Sequence, residues 1–481
     1  MDVLNESLFI AHTPVEIGAG FHNIGSGVLR ASHKEMIDKI EAHYGERCGH
    51  IPFDARRIRV LVDNPTPDID AQVAYLSQLF GKEIKAVTFE DLKAEKEAFS
   101  VESPLIVPYV NVPETEQRIK GAVGGTAWGM PSNMVHLLKN KADFYRFADE
   151  IDLAGFRTPD YKISDIYDIS TDAMEFLSEV EDIYRKAGLA QKYPLGIVLR
   201  ASESDGNYGS CLVYERDGSI IVLPDGDANY TQSYTNWNDA IVASQKCLFA
   251  AMNVQKEQRV VISRFVDIAD SPGMSVVILE GQVESLRWNG QLQGQDSKAC
   301  VGTSSYIPKD SYLRHVQQRD EDQTTVIFEK LLKQAAMKCD IDFASIRGIA
   351  NIDIIVPGTL ERELQKRRKQ EPGHYLAECN PRWTNYTDAI MTVMGANRKT
   401  PTVNNMRTVI QEGIFTIDKS ILPANVDPRV VREYIWKIDD ILKQDGTRII
   451  CRMTKNPFGL IFAGDIRKAQ EEFASVVTML A

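Results

Sequence analysis

Short runs of β-branched and aliphatic residues alternate with helix-like spacing of apolar residues in the first third of the chain. The runs at 57–62 and 105–112 predict strands, and the apolar positions of 70–79 have the period of a helix. Strands that alternate with helices are typical of an α/β domain. This part of the sequence therefore predicts an α/β unit.

Both periodicities continue through the middle of the chain. Asn140 has the character of a helix N-cap, because apolar residues on one face follow it until Gly155 ends the pattern. A second helix is predicted at 172–187, closed by Gly188, and a third near 324–338. The strands predicted in this region are 195–200, 211–214, 220–223, 259–266, 274–280 and 283–288. The region therefore predicts a mixed sheet.

Two short apolar segments, 349–356 (IANIDIIV) and 375–382 (YLAECNPR), carry a distinctive set of polar residues. Both read as buried strands. Alternate side chains of a strand share a face, so Glu378 and Asn380 are expected to point the same way. Asp353 is the only carboxylate in its apolar segment, and burying its charge is costly unless it is paired or bound to a metal. The segments therefore predict either an ion-pair cluster or a metal site.

The connection between these segments decides how they are arranged. Residues 357–373 are charged and contain Pro and Gly, which predicts antiparallel neighbours with Asp353 opposite Glu378. The basic run 366–369 is expected at a solvated hairpin tip. Two carboxylates and an amide oxygen suit magnesium that shares its coordination with phosphates. The alternative is a structural cluster neutralised by Arg382 and a nearby lysine.

Other stretches are candidates for phosphate contacts. Lys141 lies in the first turn of its predicted helix, where a cation contributes little to stability, so it is a candidate anion ligand; the alternative is an exposed lysine. The polar loop 201–209 can bring backbone N–H groups close to phosphates, although an ordinary hairpin has the same pattern. The segment 18–25 (GAGFHNIG) is interpreted as a turn rather than a dinucleotide loop, because no clear strand precedes it and the glycine spacing differs.

Composition and charge exclude several classes of protein. With 481 residues, 43% of them hydrophobic, the chain can bury a large core divided into roughly three domain-sized units. A formal net charge of −12 opposes nucleic acid and anionic membranes as partners. Seven scattered cysteines without a CxxC pair, no long apolar run and no basic segment before the first apolar residues predict a soluble cytoplasmic protein. No Ser-His-Asp or Cys-His arrangement suggests a side-chain nucleophile.

Four features in sequence order resemble the ATP-grasp ligase superfamily over roughly residues 125 to 395. They are Lys141 before a helix that ends in GFRTP, then YPLGIVLRASESDGNYGS, then VVISRFVD, and finally NID with AECNPR. The resemblance implies an α/β (α+β) ATP-grasp fold. It divides the chain into an N-terminal α/β pre-ATP-grasp domain (1–135), a lid with the glycine loop (136–268), a catalytic subdomain with the magnesium site (269–400) and a small C-terminal α+β domain (401–481).

The same resemblance implies roles for individual residues. Lys141 and Arg200 would contact the nucleotide phosphates, and Arg200 departs from the lysine usual in the family. Arg382 would face the transferring phosphate or the acyl intermediate, and Arg287, with Lys298, would meet phosphate or the acceptor carboxylate. The remaining implied ATP-binding residues are Ser202, Ser204, Gly206 and Asn207 of the glycine loop, and Ser263, Arg264, Phe265 and Val266, whose main-chain atoms would contact adenine. The implied metal ligands are Asp353, Glu378 and Asn380.

Two further stretches, 271–308 and 446–473, resemble the pheganomycin-type peptide ligases within this superfamily. The resemblance implies an ADP-forming carboxylate–amine ligase that uses ATP, one or two Mg²⁺ ions with Mn²⁺ as a substitute, and an acyl-phosphate intermediate. Its substrates would be small molecules: a carboxylic acid or short peptide, and an amine such as an amino acid. The oligomeric state is left open, with a homodimer as one option. The alternatives are an ATP-grasp carboxylase or purine-type ligase, and a non-catalytic ATP-binding regulator.

Overall fold

Three β-sheets and the helices packed on them make up the described part of the protein. The computed structural model describes residues 15–19, 57–62, 65–97, 104–204, 209–225, 230–252, 254, 257–293, 300–305, 311–420, 422–453 and 458–481. The helices are α1 Pro67–Phe80, α2 Phe89–Ala94, α3 Pro113–Val123, α4 Ser132–Lys139, α5 Lys141–Asp149, α6 Ile169–Lys186, α7 Trp237–Ala251, α8 Ser311–Lys338, α9 Thr359–Arg367, α10 Asn385–Ala396, α11 Val403–Glu412, α12 Pro428–Leu442 and α13 Ile466–Leu480.

The strands fall into the three sheets in chain order. They are β1 Val15–Ala19, β2 Arg57–Leu61, β3 Glu83–Val87, β4 Leu105–Pro108, β5 Thr126–Ala127, β6 Phe156–Arg157, β7 Tyr161–Asp165, β8 Gly196–Ala201, β9 Ser210–Arg216, β10 Ser219–Pro224, β11 Gln232–Tyr234, β12 Arg259–Arg264, β13 Ile268–Asp270, β14 Gly273–Leu279, β15 Gln282–Gln293, β16 Cys300–Ser304, β17 Arg347–Pro357, β18 His374–Asn380, β19 Ile414–Ser420, β20 Arg448–Met453 and β21 Phe458–Ala463.

The first sheet is parallel and has the order β3-β2-β1-β4-β5. Helix α1 connects β2 to β3; Thr66 caps its start by accepting from the Ile69 amide at 3.3 Å, and Gly81 ends it with a φ of +66°. This confirms the alternating α/β start. The expectation that no strand precedes the glycine segment 18–25 was wrong, because Gly18 itself lies in β1; residues 20–25 are outside the described residues.

The second sheet is antiparallel, with the order β11-β10-β9-β8-β12-β7, and packs against α6 and α7 around a hydrophobic core of its own. The predicted turn at Asp217 and Gly218 joins β9 to β10, and both residues have positive φ. Strands β8 and β9 flank the polar loop 201–209, whose residues 205–208 lie outside the described residues. This sheet therefore holds the loop at one of its ends.

The third sheet runs β20-β21-β19-β16-β15-β14-β17-β18-β6, with β13 paired to β17. Strands β17 and β18 are antiparallel neighbours, and Asp353 lies opposite Glu378, as the sequence predicted. Strand β16 meets β19 through Ser304 and Phe415, so the sheet is continuous across residue 400. The division into four domains stays a prediction.

The connection between β17 and β18 differs from the predicted hairpin tip. Helix α9 forms within it, and the basic run 366–369 lies at the end of this helix, where cations interact favourably with the helix dipole. Arg368 donates to both carboxylate oxygens of Asp160, at 2.7 and 2.9 Å, and Arg367 donates to the carbonyl of Ala187 at 2.8 Å. These basic side chains therefore join α9 to the second sheet.

Several helix and strand boundaries also differ from the sequence prediction. Helix α5 ends at Asp149, well before Gly155, because a turn in which the Phe156 amide donates to the Leu153 carbonyl leads directly into β6. Helix α8 begins at Ser311, earlier than predicted, and β4 ends at Pro108. No helix among the described residues is both long and apolar enough to cross a membrane.

Candidate functional site

The paired acidic residues of β17 and β18 form the centre of the site. Asp353 Oδ1 accepts hydrogen bonds from Gln291 Nε2 at 2.9 Å and from Asn351 Nδ2 at 2.8 Å, and its Oδ2 accepts from Asn380 Nδ2 at 3.0 Å. Among the described residues, Asp353 makes no direct salt bridge. Basic side chains of the described residues therefore pair directly with Glu378 but not with Asp353, and a bound cation would neutralise the second carboxylate.

The electrostatics at Asp353 agree with this interpretation. Burial, and then the neighbouring Glu378 carboxylate, raise the pKa of Asp353 to about 8, against opposing effects of the Asn351 hydrogen bond and the Arg382 charge. Amide donors alone do not compensate a buried carboxylate beside a second one. A divalent cation between the two carboxylates would supply the missing charge.

Lys141 reaches the second carboxylate from the start of α5. Its Nζ lies 3.4 Å from Glu378 Oε2 and also donates to the Ser204 carbonyl, while its backbone amide donates to the Ser202 carbonyl at 2.8 Å. Only 3% of its side chain is exposed, which excludes the alternative of a surface lysine. The predicted cap is confirmed, because Asn140 Oδ1 accepts from the Ala142 and Asp143 amides, each at 3.1 Å.

Backbone carbonyl groups hold the first residues of the polar loop, which are the part that the structure describes. The Ser202 amide donates to the Arg259 carbonyl at 3.1 Å, and both the amide and the hydroxyl of Ser204 donate to the Ala201 carbonyl. Ser202 is buried, and its hydroxyl has no hydrogen-bond partner among the described residues. Gly206 and Asn207 lie outside the described residues, as does Lys298.

Arg200, on β8, contacts β18, the strand that carries the metal-ligand candidates Glu378 and Asn380. Its Nη1 donates to the Ala377 carbonyl at 3.3 Å, and its Nη2 donates to the hydroxyl of Tyr145. Tyr145 in turn donates to the Ala377 carbonyl at 3.1 Å. Arg200 therefore contacts β18 at the residue before Glu378, so both it and Lys141 reach the strand that bears this carboxylate.

The segment Ser263 to Val266 crosses from the second sheet towards the third. The guanidinium of Arg264 is fully buried and committed to Glu361, at 2.7 and 2.8 Å, and to Asp160, at 2.9 Å. The Phe265 amide donates to the Gly196 carbonyl at 2.9 Å, and the Ser263 hydroxyl lies 3.5 Å from the Val198 carbonyl. The buried Val266 amide has no hydrogen bond among the described residues. This leaves a backbone donor for a ligand, whereas the side chain of Arg264 is not available.

The two arginines with predicted catalytic roles differ in their placement. Arg382 follows β18, and its Nη2 donates to Asn380 Oδ1 at 3.0 Å, so it belongs to the cluster. It also lines a small cleft whose other walls include the aromatic residues Tyr109, Trp128 and Trp383. Arg287 lies on β15 at an irregularity of the pairing with β14, has a φ of +66°, and makes no hydrogen bond or ion pair with Asp353, Glu378 or Asn380 in the described structure.

Sequence reasoning missed three polar neighbours of the cluster, Tyr145, Gln291 and Asn351. Tyr145 lies four residues after Lys141 on α5, and Asn351 lies two residues before Asp353 on β17, so each shares a face with a residue that the sequence did single out. Nothing in the sequence near Gln291 signals its contact with Asp353. No group of three or more His, Cys, Asp or Glu side chains that could hold a metal occurs among the described residues, so a cation here would depend on amide and phosphate oxygens beside the two carboxylates.

No protein-family model and no curated protein matches the chain in sequence. In structure it is similar to a biotin carboxylase–β-γ-ATP complex from Campylobacter jejuni, with a TM-score of 0.51 and 12% identity over 98% of this chain and 92% of that chain. N5-carboxyaminoimidazole ribonucleotide synthetase from Thermus thermophilus aligns with a TM-score of 0.49 and 13% identity, over 97% of this chain and 98% of that chain. At sequence identities this low, the similarity supports a shared fold and no further property. With its mixed α/β sheets in this arrangement, the chain has the ATP-grasp fold that the sequence predicted.

Proposed function

We propose that this chain is an ATP-dependent, ADP-forming carboxylate–amine ligase of the ATP-grasp superfamily. The observation that carries the proposal is the convergence of Lys141 and Arg200 on a strand that bears Glu378, directly opposite Asp353. A nucleotide triphosphate with a divalent cation needs both signs of charge in one place, cations for its phosphates and carboxylates for its metal. The cationic side chains alone, or the carboxylates alone, would not distinguish a catalytic site from a structural cluster.

The donor set supports magnesium, with one or two ions and Mn²⁺ as a substitute. Asp353, Glu378 and Asn380 would hold the metal, which would neutralise charge on the phosphate oxygens when bound. In the described conformation the Asn380 amide turns its Nδ2 towards Asp353 and its Oδ1 towards Arg382. A half-turn of this amide would present Oδ1 to a cation and release Arg382 for substrate.

Binding of the nucleotide would use both sides of the cleft. Lys141 and Arg200 would contact the phosphates, assisted by the loop residues Ser202, Ser204, Gly206 and Asn207. Adenine would lie along the main chain of Ser263, Arg264, Phe265 and Val266; the Arg264 and Phe265 amides already donate to the Asp160 and Gly196 carbonyls, so the Val266 amide would be its donor. A buried donor without a partner is unfavourable, so a base that accepts from it would gain both affinity and specificity.

The reaction would proceed in two steps. A carboxylate oxygen of the acid attacks the γ-phosphorus of ATP, the bond to the β-phosphate oxygen breaks, and an acyl phosphate and ADP form. An amine then attacks the acyl carbon, and inorganic phosphate leaves as the amide forms. Arg382 would stabilise the negative charge on the carbonyl oxygen in the second step. Closure of the lid would exclude water, which otherwise hydrolyses the acyl phosphate.

For the substrates, we propose an acid and an amine of amino-acid or short-peptide size, as in the pheganomycin-type ligases. The residues beside Arg382 support this choice, because a cation next to aromatic side chains suits a carboxylate attached to an apolar group once the cleft, now no larger than a water molecule, widens. Asn111, also in this wall, is buried, and its Oδ1 has no partner among the described residues, so it can accept from a substrate N–H group. Arg287 would act on an acceptor carboxylate only if the substrate extends towards β15.

The test measures ADP release by the full chain with Mg·ATP and pooled acids and amines. The proposal predicts release that requires one acid and one amine together and yields their amide, detectable by mass spectrometry. Release that needs bicarbonate in place of the acid would identify a carboxylase. Nucleotide binding without turnover in any pool would identify a regulator, and either of these outcomes would overturn the ligase proposal.

A further inference from the structure

Arg200 stands where the resemblance leads one to expect lysine, and its hydrogen bonds show how the larger side chain is held. A guanidinium has several N–H donors in one plane and commonly binds a carboxylate or phosphate through two parallel hydrogen bonds. In this protein both terminal nitrogens of Arg200 bond to protein: Nη1 to the Ala377 carbonyl at 3.3 Å and Nη2 to the Tyr145 hydroxyl. Each terminal nitrogen therefore uses one of its two N–H groups within the protein.

The third nitrogen of Arg200 has no such bond. Its Nε is buried and lacks a hydrogen-bond partner among the described residues. A buried charged group with an unsatisfied N–H is unfavourable unless a ligand accepts from it. Arg200 consequently keeps N–H groups for a ligand on Nε and on both terminal nitrogens.

Tyr145 holds the guanidinium in this orientation. Its ring lies 5.3 Å from the Arg200 guanidinium carbon, its hydroxyl accepts from Nη2, and the same hydroxyl donates to the Ala377 carbonyl at 3.1 Å. The Tyr145 side chain is completely buried, and the ring of Tyr161 packs against it edge-on at 5.0 Å. A tyrosine so confined has little freedom to release the arginine.

The position of Tyr145 also connects Arg200 to the other phosphate-contact candidate. Tyr145 lies one helical turn after Lys141 on the same face of α5. Lys141 contacts Glu378, and Tyr145 contacts the preceding residue, Ala377. One face of α5 therefore contributes to the placement of both Lys141 and Arg200 against strand β18.

We infer that Tyr145 is a positioning residue that fixes the orientation in which the Arg200 guanidinium meets the nucleotide phosphates. This inference rests on the proposed ATP site and deepens it. Tyr145 itself does not touch the nucleotide. Its effect on phosphate binding is exerted only while an arginine occupies position 200.

The test is a double-mutant cycle of Tyr145→Phe and Arg200→Lys in the full chain, with binding of Mg·ADP measured by calorimetry. Tyr145→Phe alone should weaken binding roughly tenfold, because it removes one hydrogen bond to a charged group. In the Arg200→Lys background the same change should cost less than about threefold. Equal losses in both backgrounds would mean that Tyr145 acts only by packing, and would overturn the inference.

Two controls keep the outcome decisive. Tyr161→Phe removes the hydroxyl of the adjacent ring and should leave Mg·ADP affinity unchanged. Arg200→Gln alone should lose roughly tenfold or more, because it removes the charge that Tyr145 positions; this measurement decides the question even if Tyr145→Phe does not fold. An Arg200→Gln protein with wild-type affinity would overturn the inference.

Failure of the inference and failure of the proposed function give different results. If wild-type protein binds neither Mg·ADP nor Mg·ATP, the ATP site itself is wrong. If wild type binds both and the cycle shows no coupling between positions 145 and 200, the ATP site stands and the role of Tyr145 is wrong.

Discussion

Asp353 and Glu378 lie directly opposite each other on adjacent antiparallel strands, although both side chains are acidic. Like charges in this position destabilise a sheet. Asp353 accepts hydrogen bonds from three amide groups, and Glu378 has Lys141 at 3.4 Å. The arrangement is explained if the pair binds a cation together with nucleotide phosphates, and the predictions below follow from it.

Replacement of Glu378 by glutamine should remove turnover and leave the fold intact. Glutamine keeps the shape of the side chain but loses the charge that would bind the metal, so ADP formation should fall roughly a hundredfold or more. Circular dichroism and thermal unfolding would check the fold. The matched control is Glu363→Gln, whose carboxylate pairs with Arg367 on the exposed face of α9 and should not affect activity. Unchanged ADP formation by the Glu378 variant would refute the assigned metal role.

Magnesium should control the stabilisation of the protein by nucleotide. A ligand that binds only the folded state raises the free energy of unfolding by about 2.7 kcal/mol at a concentration of roughly 100 Kd. We expect ADP to raise the unfolding temperature with Mg²⁺ or Mn²⁺ present and much less after chelation with EDTA. Asp353→Asn should abolish the metal-dependent part of the shift. An equal shift with and without metal would contradict a cation held by these carboxylates.

Substitution of Lys141 should weaken nucleotide binding. Lys141→Met keeps the buried aliphatic stem and removes the ammonium group, so the expected loss of ATP affinity is roughly tenfold to a hundredfold. Lys338→Ala, which removes an exposed lysine paired with Glu150, is the control. Normal ATP affinity in the Lys141 variant, measured by calorimetry, would show that the ion pair with Glu378 is structural only.

The contact between Asp160 and α9 should make stability depend on acid pH. Burial opposes the shift, but hydrogen bonds and charges from Arg368 and Arg264 lower the pKa of Asp160 from 3.8 to about 2. A carboxyl group whose pKa is lower in the folded state stabilises the protein above its unfolded pKa, and this stabilisation is lost as the pH falls from about 4 towards 2. The shift corresponds to about 2 kcal/mol.

Urea unfolding of wild type and Asp160→Asn at two pH values measures this contribution. The variant should be less stable than wild type at pH 7, and the difference should shrink at about pH 2.5. Asp217→Asn, at an exposed turn, should show no such dependence. A difference that stays constant with pH would mean that the arginines contribute to stability by packing rather than by charge.

Local sequence patterns were sufficient for the pairing of β17 with β18 and for the cap of α5. Asp353 and Glu378 were placed opposite each other because strand alternation and a short connection leave few arrangements. The same reasoning missed helix α9 in that connection, since its buried contact, Glu361 with Arg264, joins residues far apart in sequence. Gln291 was missed for a similar reason: its neighbour Asp353 is brought to it by the intervening strand β14.

A crystal structure with Mn²⁺ and a non-hydrolysable ATP analogue tests the central claim most directly. The account predicts an anomalous manganese peak between the carboxylates of Asp353 and Glu378, roughly 2.0–2.2 Å from their nearest oxygens, with the terminal phosphates completing the coordination and Lys141 and Arg200 in contact with them. Manganese bound elsewhere, or phosphates that avoid this strand pair, would contradict it.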